Sequence, residues 1–110
     1  MEIEQVVDNN IEIVYPIARI DTVTSKEFEK YMLDVIARAQ KIIISFSKID
    51  YVSSAGLRVI LMSGKQVKAK GGSLVLCDMA TRIFDVFKMS GFDKILNIQP
   101  DLEQAKQAVN

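Results

Sequence analysis

Ile49-Asp50-Tyr51-Val52-Ser53-Ser54-Ala55-Gly56-Leu57-Arg58-Val59-Ile60-Leu61 sets two adjacent serines where an apolar strand passes into a segment with helical apolar spacing. A helix start carries unsatisfied backbone N–H groups and the positive end of the helix dipole. A hydroxyl there caps the helix, and a phosphate there is electrostatically favoured. On the local sequence two readings of the serine pair stand side by side, a helix cap and a covalent switch.

Working outward, the helix that begins at Ser54 carries Leu57, Ile60, Leu61, Gly64 and Val67 or Lys68 along one stripe. It stops at Gly71-Gly72, where a left-handed cap costs little, and a strand from Ser73 to Asp78 follows. Upstream, Ile42-Ile43-Ile44-Ser45-Phe46 is apolar without alternation, the pattern of a strand covered on both faces among parallel neighbours. Before it, Phe28, Tyr31, Met32, Val35, Ile36 and Ala39 fall at helical spacing behind Thr24-Ser25-Lys26-Glu27, which fits a capping box with Thr24 as the cap. Residues 2 to 7 and 11 to 20 read as the two strands of a hairpin around Asp8-Asn9-Asn10, with Ile11, Ile13, Tyr15 and Ile17 on one face. Pro16 lacks the N–H of a central strand and calls for an edge or a bulge.

Downstream, a third helix over about Ala80 to Ser90 gathers Ile83, Phe84 and Phe87 and ends at Gly91. Lys94 to Ile98 reads as a short strand, and Pro100-Asp101 opens a last helix through Leu102, Ala105 and Val109. Strands alternating with helices predict one α/β domain over residues 1–110. Its sheet is mixed and mostly parallel, of about four or five strands, with about four helices packed on it.

Composition narrows the chemistry. The 110 residues are 49% hydrophobic and 25% charged, the range of one globular domain with one core. Fourteen basic and fourteen acidic residues cancel, which removes the simplest electrostatic case for direct binding to nucleic acid or an anionic membrane. The absence of histidine excludes histidine-dependent triads and the usual zinc sites, and no phosphate-binding Gly-x-x-x-x-Gly-Lys-Ser/Thr run occurs. No cofactor is called for. Cys77, in Leu74-Val75-Leu76-Cys77, reads as a small buried hydrophobe. Asp21, Asp50 and Asp78 sit at strand ends, where aspartate forms turns; Asp21 has a second reading as a recognition residue. Lys65, Lys68 and Lys70 read as a solvated face late on the second helix, and Met62 as peripheral packing or an adaptable contact. The opening Met-Glu-Ile-Glu has no basic region or apolar signal core, and no apolar run approaches the roughly 18 residues needed to cross a bilayer. The expectation is a cytoplasmic protein without membrane insertion.

The order strand, strand, helix, strand, Ser-Ser-x-Gly-Leu helix, strand, helix resembles the STAS family, in particular its stand-alone anti-sigma factor antagonists. The pieces that carry the resemblance are Ile20-Asp21-Thr22-Val23-Thr24, Ser53-Ser54-Ala55-Gly56-Leu57, Gly71-Gly72-Ser73-Leu74-Val75-Leu76-Cys77 and Phe87-Lys88-Met89-Ser90-Gly91-Phe92. The family's common switch sequence is Asp-Ser-Ser/Thr-Gly-Leu. Aligning its glycine with Gly56 puts the phosphorylated serine at Ser54, Ser53 where aspartate usually stands and Ala55 where the second hydroxyl residue stands.

The resemblance implies a non-enzymatic partner switch of the kind found in stress response and sporulation. Unphosphorylated, it binds an anti-sigma factor that is also a serine kinase and so frees the sigma factor; phosphorylated on Ser54, it lets go. The kinase brings ATP and Mg²⁺, and a serine phosphatase of the PP2C type resets the switch. The implied partner surface combines Asp21, Thr22, Thr24, Ser53, Ser54, Gly56, Arg58 and Met62. The alternative is a constitutive STAS scaffold that never carries phosphate, as part of a signalling or membrane-transport assembly.

Overall fold

In the computed structural model, which describes residues 1–110, the three apolar runs around Ile13, Ile43 and Val75 lie side by side as the centre of one sheet. The strands are β1 (Ile3–Asp8), β2 (Ile11–Pro16), β3 (Ala18–Ile20), β4 (Lys41–Ser45), β5 (Ile49–Val52), β6 (Ser73–Cys77) and β7 (Asn97–Gln99). Five of them form the main sheet in the order β1-β2-β4-β6-β7, in which β1 alone is antiparallel to its neighbour. The helices are α1 (Ser25–Arg38), α2 (Ser54–Ala69), α3 (Thr81–Met89) and α4 (Leu102–Val109).

The unalternating apolar strands follow from cover on both faces. Val14, Ile42, Ile44 and Leu76 pack beneath α1, α2 and α3, with Phe28, Met32, Ile60, Val67 and Phe87 closing the larger core. On the opposite face Ile13, Ile43, Val75 and Cys77 meet Ala105 and Val109 of α4. Phe46 and Phe87 touch edge to face, with centroids 5.8 Å apart. The expected α/β sheet with four helices is what the chain forms.

The expected hairpin forms between β1 and β2 around Asn9-Asn10, but its second strand is shorter than predicted. Residues 11–20 are two strands, and β2 is an interior strand, paired with β1 on one side and with β4 over Ile11–Val14 on the other. Pro16 lies beyond the β4 ladder, where the missing N–H is not needed, and there the chain leaves the sheet. Ala18 takes a left-handed turn (φ 72°), and β3 then pairs parallel with β5 in a small second sheet, Ile20 beside Val52.

One other expectation is corrected. The predicted strand from Lys94 to Ile98 is a 3-10 turn over Phe92–Lys94 followed by β7, because Gly91 (φ 80°) bends the chain and the Lys94, Ile95 and Leu96 amides are taken by turn carbonyls. Lys70 is exposed, as expected for that face, and it also has a structural role. Its ammonium donates to the carbonyls of Ile36 and, at 3.2 Å, of Ala39, fastening the end of α1 to the end of α2. The Gly71-Gly72 stop is as expected. Gly71 is left-handed (φ 83°), and the Gly72 amide returns to the Val67 carbonyl.

Candidate functional site

The small β3/β5 sheet places two turns next to each other. The Ser53 amide donates to the Ile20 carbonyl at 2.9 Å, so the exit of β5 is tied to the exit of β3. Gly56 completes the junction. A Cβ there would stand 2.6 Å from the Ile20 carbonyl oxygen and 2.8 Å from its Cγ2, so only glycine lets α2 begin this close to β3. Gly56 is therefore buried; it seats the helix and offers no side chain to a partner.

The two serines divide the available roles. Ser53 is the N-cap, with extended backbone (φ −89°, ψ 174°), and its Oγ accepts from the Gly56 amide at 3.2 Å. Ser54 is the first helical residue. It is exposed, and its hydroxyl bonds to no other protein group. Of the two readings of the serine pair, the cap falls to Ser53, the residue before the helix. Arg58 and Met62 follow Ser54 at one-turn intervals on the same face. Arg58 is exposed and enters no ion pair, while Met62 is half-buried in a groove of about 460 Å³ that Thr22, Lys26, Ala55 and Arg58 also line.

The neighbouring turn at α1 is closed by its own side chains. The Asp21 carboxylate accepts from the Val23 amide at 3.0 Å and the Thr24 amide at 2.9 Å, and Arg19 Nε reaches its other oxygen at 3.1 Å. Thr24 Oγ1 accepts from the Asp21 amide at 2.9 Å and lies 2.9 Å from the Arg19 carbonyl, to which it donates. The bond from the Thr24 backbone, then that from Arg19, lowers the Asp21 pKa from 3.8 to about 2. The predicted capping box does not form. Thr24 makes no side-chain cap, because its Oγ1 is engaged with the Asp21 amide and the Arg19 carbonyl; Asp21 holds the Thr24 amide, and the Glu27 carboxylate turns to the Met1 amino group at 2.7 Å.

The residues implied for partner binding therefore sort by place. Asp21 and Thr24 build the turn, Thr22, Ser54 and Arg58 stand on the surface, Met62 edges it, and Ser53 and Gly56 position α2. Sequence reasoning missed Val23, which is 79% exposed between Thr22 and Thr24. Its signal was a large apolar residue inside a turn, outside any periodic pattern.

The remaining candidates do not converge. Asp50 faces Arg82, whose guanidinium is 3.8 Å from the carboxylate and 3.0 Å from the Asp50 carbonyl. Asp78 accepts from Ser45 at 2.7 Å. Cys77 is fully buried, and burial, with the Asp78 charge beside it, pushes its thiol up to about 12, so it is no thiolate at neutral pH. No group of three or more carboxylates and thiols gathers to hold a metal, and no helix is long and apolar enough to cross a membrane.

The family model for the STAS domain matches residues 2–105. A provisionally assigned anti-sigma factor antagonist of Bordetella bronchiseptica, BtrV, is 34% identical over 90 residues, covering 78% of each chain. An anti-sigma F factor antagonist of Paenibacillus polymyxa is 31% identical over 100 residues, 89% of this chain and 86% of its own. A crystal structure from Thermotoga maritima superimposes with a TM-score of 0.91 over 97% of this chain and 93% of its own; at 20% identity that likeness is one of fold.

Proposed function

This chain belongs to the STAS-domain family, and on that premise we propose that it is an anti-sigma factor antagonist that works by partner switching. Unphosphorylated, it binds an anti-sigma factor that is also a serine kinase. Phosphorylation of Ser54 ends that binding, and a serine phosphatase of the PP2C type restores it. The chain is substrate and ligand of those enzymes and works in the cytoplasm.

One observation carries the reading: Ser54 presents a free, exposed hydroxyl at the first position of α2, because its neighbour Ser53 does the capping. A kinase acting there breaks no hydrogen bond of the fold. The added group carries roughly −1.5 to −2 charges at neutral pH, and the N-terminal end of a helix tolerates it. The consequence falls on the interface. A strongly hydrated anion enters a surface that must be desolvated on binding, beside Thr22, Arg58 and Met62, and repels acidic partner groups. Release then needs no rearrangement of the sheet.

Ser53 in place of the aspartate of the family's switch sequence has a definite physical meaning. Serine and aspartate are comparable N-caps, so the helix start is kept while one negative charge next to the acceptor is lost. Kinase recognition of the turn then rests on shape and on Ser54 itself.

The experiment is the intact mass and phosphopeptide map of the protein from its native cells, with Ser54→Ala beside it. A single phosphate on Ser54, absent in the variant, is the expected result. Persistent absence of phosphate across growth and stress conditions contradicts the switch and leaves the constitutive scaffold.

A further inference from the structure

At the other end of α2 lies a groove of about 600 Å³ between the last turns of that helix, the start of β6 and the approach to β7. Lys65 and Lys68 stand on its helical wall and Lys94 on the opposite wall. None of the three ammonium groups forms an ion pair or hydrogen bond, and no carboxylate lines the groove. In a chain of zero net charge this concentrates unneutralised positive charge in one concavity. Its apolar surface comes from Leu61, Leu74 and Leu96, and Ile95 on the rim is 63% exposed.

We propose that this groove is a second docking surface, which takes an extended acidic peptide segment with apolar side chains between its carboxylates. The apolar lining accepts the side chains, and the lysines on both walls meet the charges. A compact phosphate fits less well. Phosphate cradles are made by free backbone amides, and here the amides of Gly72, Ser73, Lys94, Ile95 and Leu96 all donate to carbonyls of the fold. No aromatic side chain lines the groove, so bases have nothing to stack on. A concave site likewise suits a peptide better than a lipid surface.

The helical lysines of the groove, Lys65 and Lys68, stand roughly 16–21 Å along α2 from Ser54 by helical rise, and its nearest lining residue, Leu61, about 10 Å. The groove is therefore a surface separate from the switch, open to a second partner in either phosphorylation state, and it does not depend on the switch reading.

The test is titration of the isotope-labelled full chain with a short synthetic peptide of alternating Glu and Leu, followed by amide chemical shifts. Its Gln-for-Glu counterpart and phosphatidylglycerol vesicles serve as competing probes. Saturable shifts confined to residues 61–74 and 94–97 are expected, with little response to the Gln peptide. Affinity should fall about tenfold in Lys65→Glu/Lys68→Glu and, on the other wall, in Lys94→Glu, while Lys30→Glu on α1 and Ser54→Asp stay within about twofold. The spectra themselves report whether each variant is folded. The proposal is overturned by an absence of saturable shifts there, by equal response to the Gln peptide, or by variants that bind as well as the parent. A stronger response to vesicles, or groove shifts that grow with protein concentration alone, overturns it in favour of a membrane or a second copy.

Discussion

The starts of α1 and α2 are adjacent on the surface, each reached from one strand of the β3/β5 pair, yet they are built in opposite ways. At α1 the hydrogen-bonding groups satisfy one another: Asp21 takes the Val23 and Thr24 amides and Arg19, and Thr24 takes the Asp21 amide. At α2 a single bond, Ser53 Oγ with the Gly56 amide, does the capping and leaves Ser54 uncommitted. A turn held by the interlocked side chains of Arg19, Asp21 and Thr24 keeps a fixed shape for recognition. A lightly capped one keeps a hydroxyl available for modification. A partner switch needs both, one as frame and the other as the site that is modified.

The largest expected effect comes from breaking the junction between the two turns. Gly56→Ala drives a Cβ against the Ile20 carbonyl and side chain, and chemical unfolding should show a loss of about 2–3 kcal/mol. Ser53→Ala removes the one cap of α2 and should cost about 1 kcal/mol, whereas Ser53→Asp, an equally good cap, should stay within a few tenths.

The α1 turn is read better by pH. The Asp21 pKa lies at about 2 in the folded chain against 3.8 for the free group, so its contribution to stability is fully present above 3.8 and is lost as pH falls through about 2. Asp21→Asn should flatten the acid limb of the stability curve in that window, with no comparable change for Ser53→Asn. The smallest effect belongs to Ser54→Ala, within about 0.5 kcal/mol of the parent in unfolding, because the hydroxyl holds nothing in the fold. A larger loss would make Ser54 structural and erase the contrast.

Much of this architecture was legible because burial on both faces leaves a plain mark. Ile42 to Ile44 could only be a central strand, and the Gly71-Gly72 stop needed only the conformational freedom of glycine. The small β3/β5 sheet was not legible. Three residues after a left-handed alanine carry too little periodicity to separate them from β2. At the helix starts, pattern and chemistry parted. Thr24-Ser25-Lys26-Glu27 has the form of a capping box, but Asp21, three residues earlier, competes for the same amide and wins. The serine pair was found at once as a candidate. The helix start at Ser54 was legible as well; that Ser53 is the cap and Ser54 the free hydroxyl is shown by the bond between Ser53 Oγ and the Gly56 amide.

The most direct test is to install phosphoserine at position 54 and measure the affinity of the phosphorylated and unphosphorylated chains for the cognate anti-sigma factor kinase, with amide chemical shifts of both forms recorded alongside. Partner switching through Ser54 predicts an affinity at least about 100-fold lower for the phosphorylated form, roughly 2.7 kcal/mol, with shift changes confined to residues 20–26 and 50–62. Equal affinity of the two forms, or backbone changes spread through the main sheet, would contradict it.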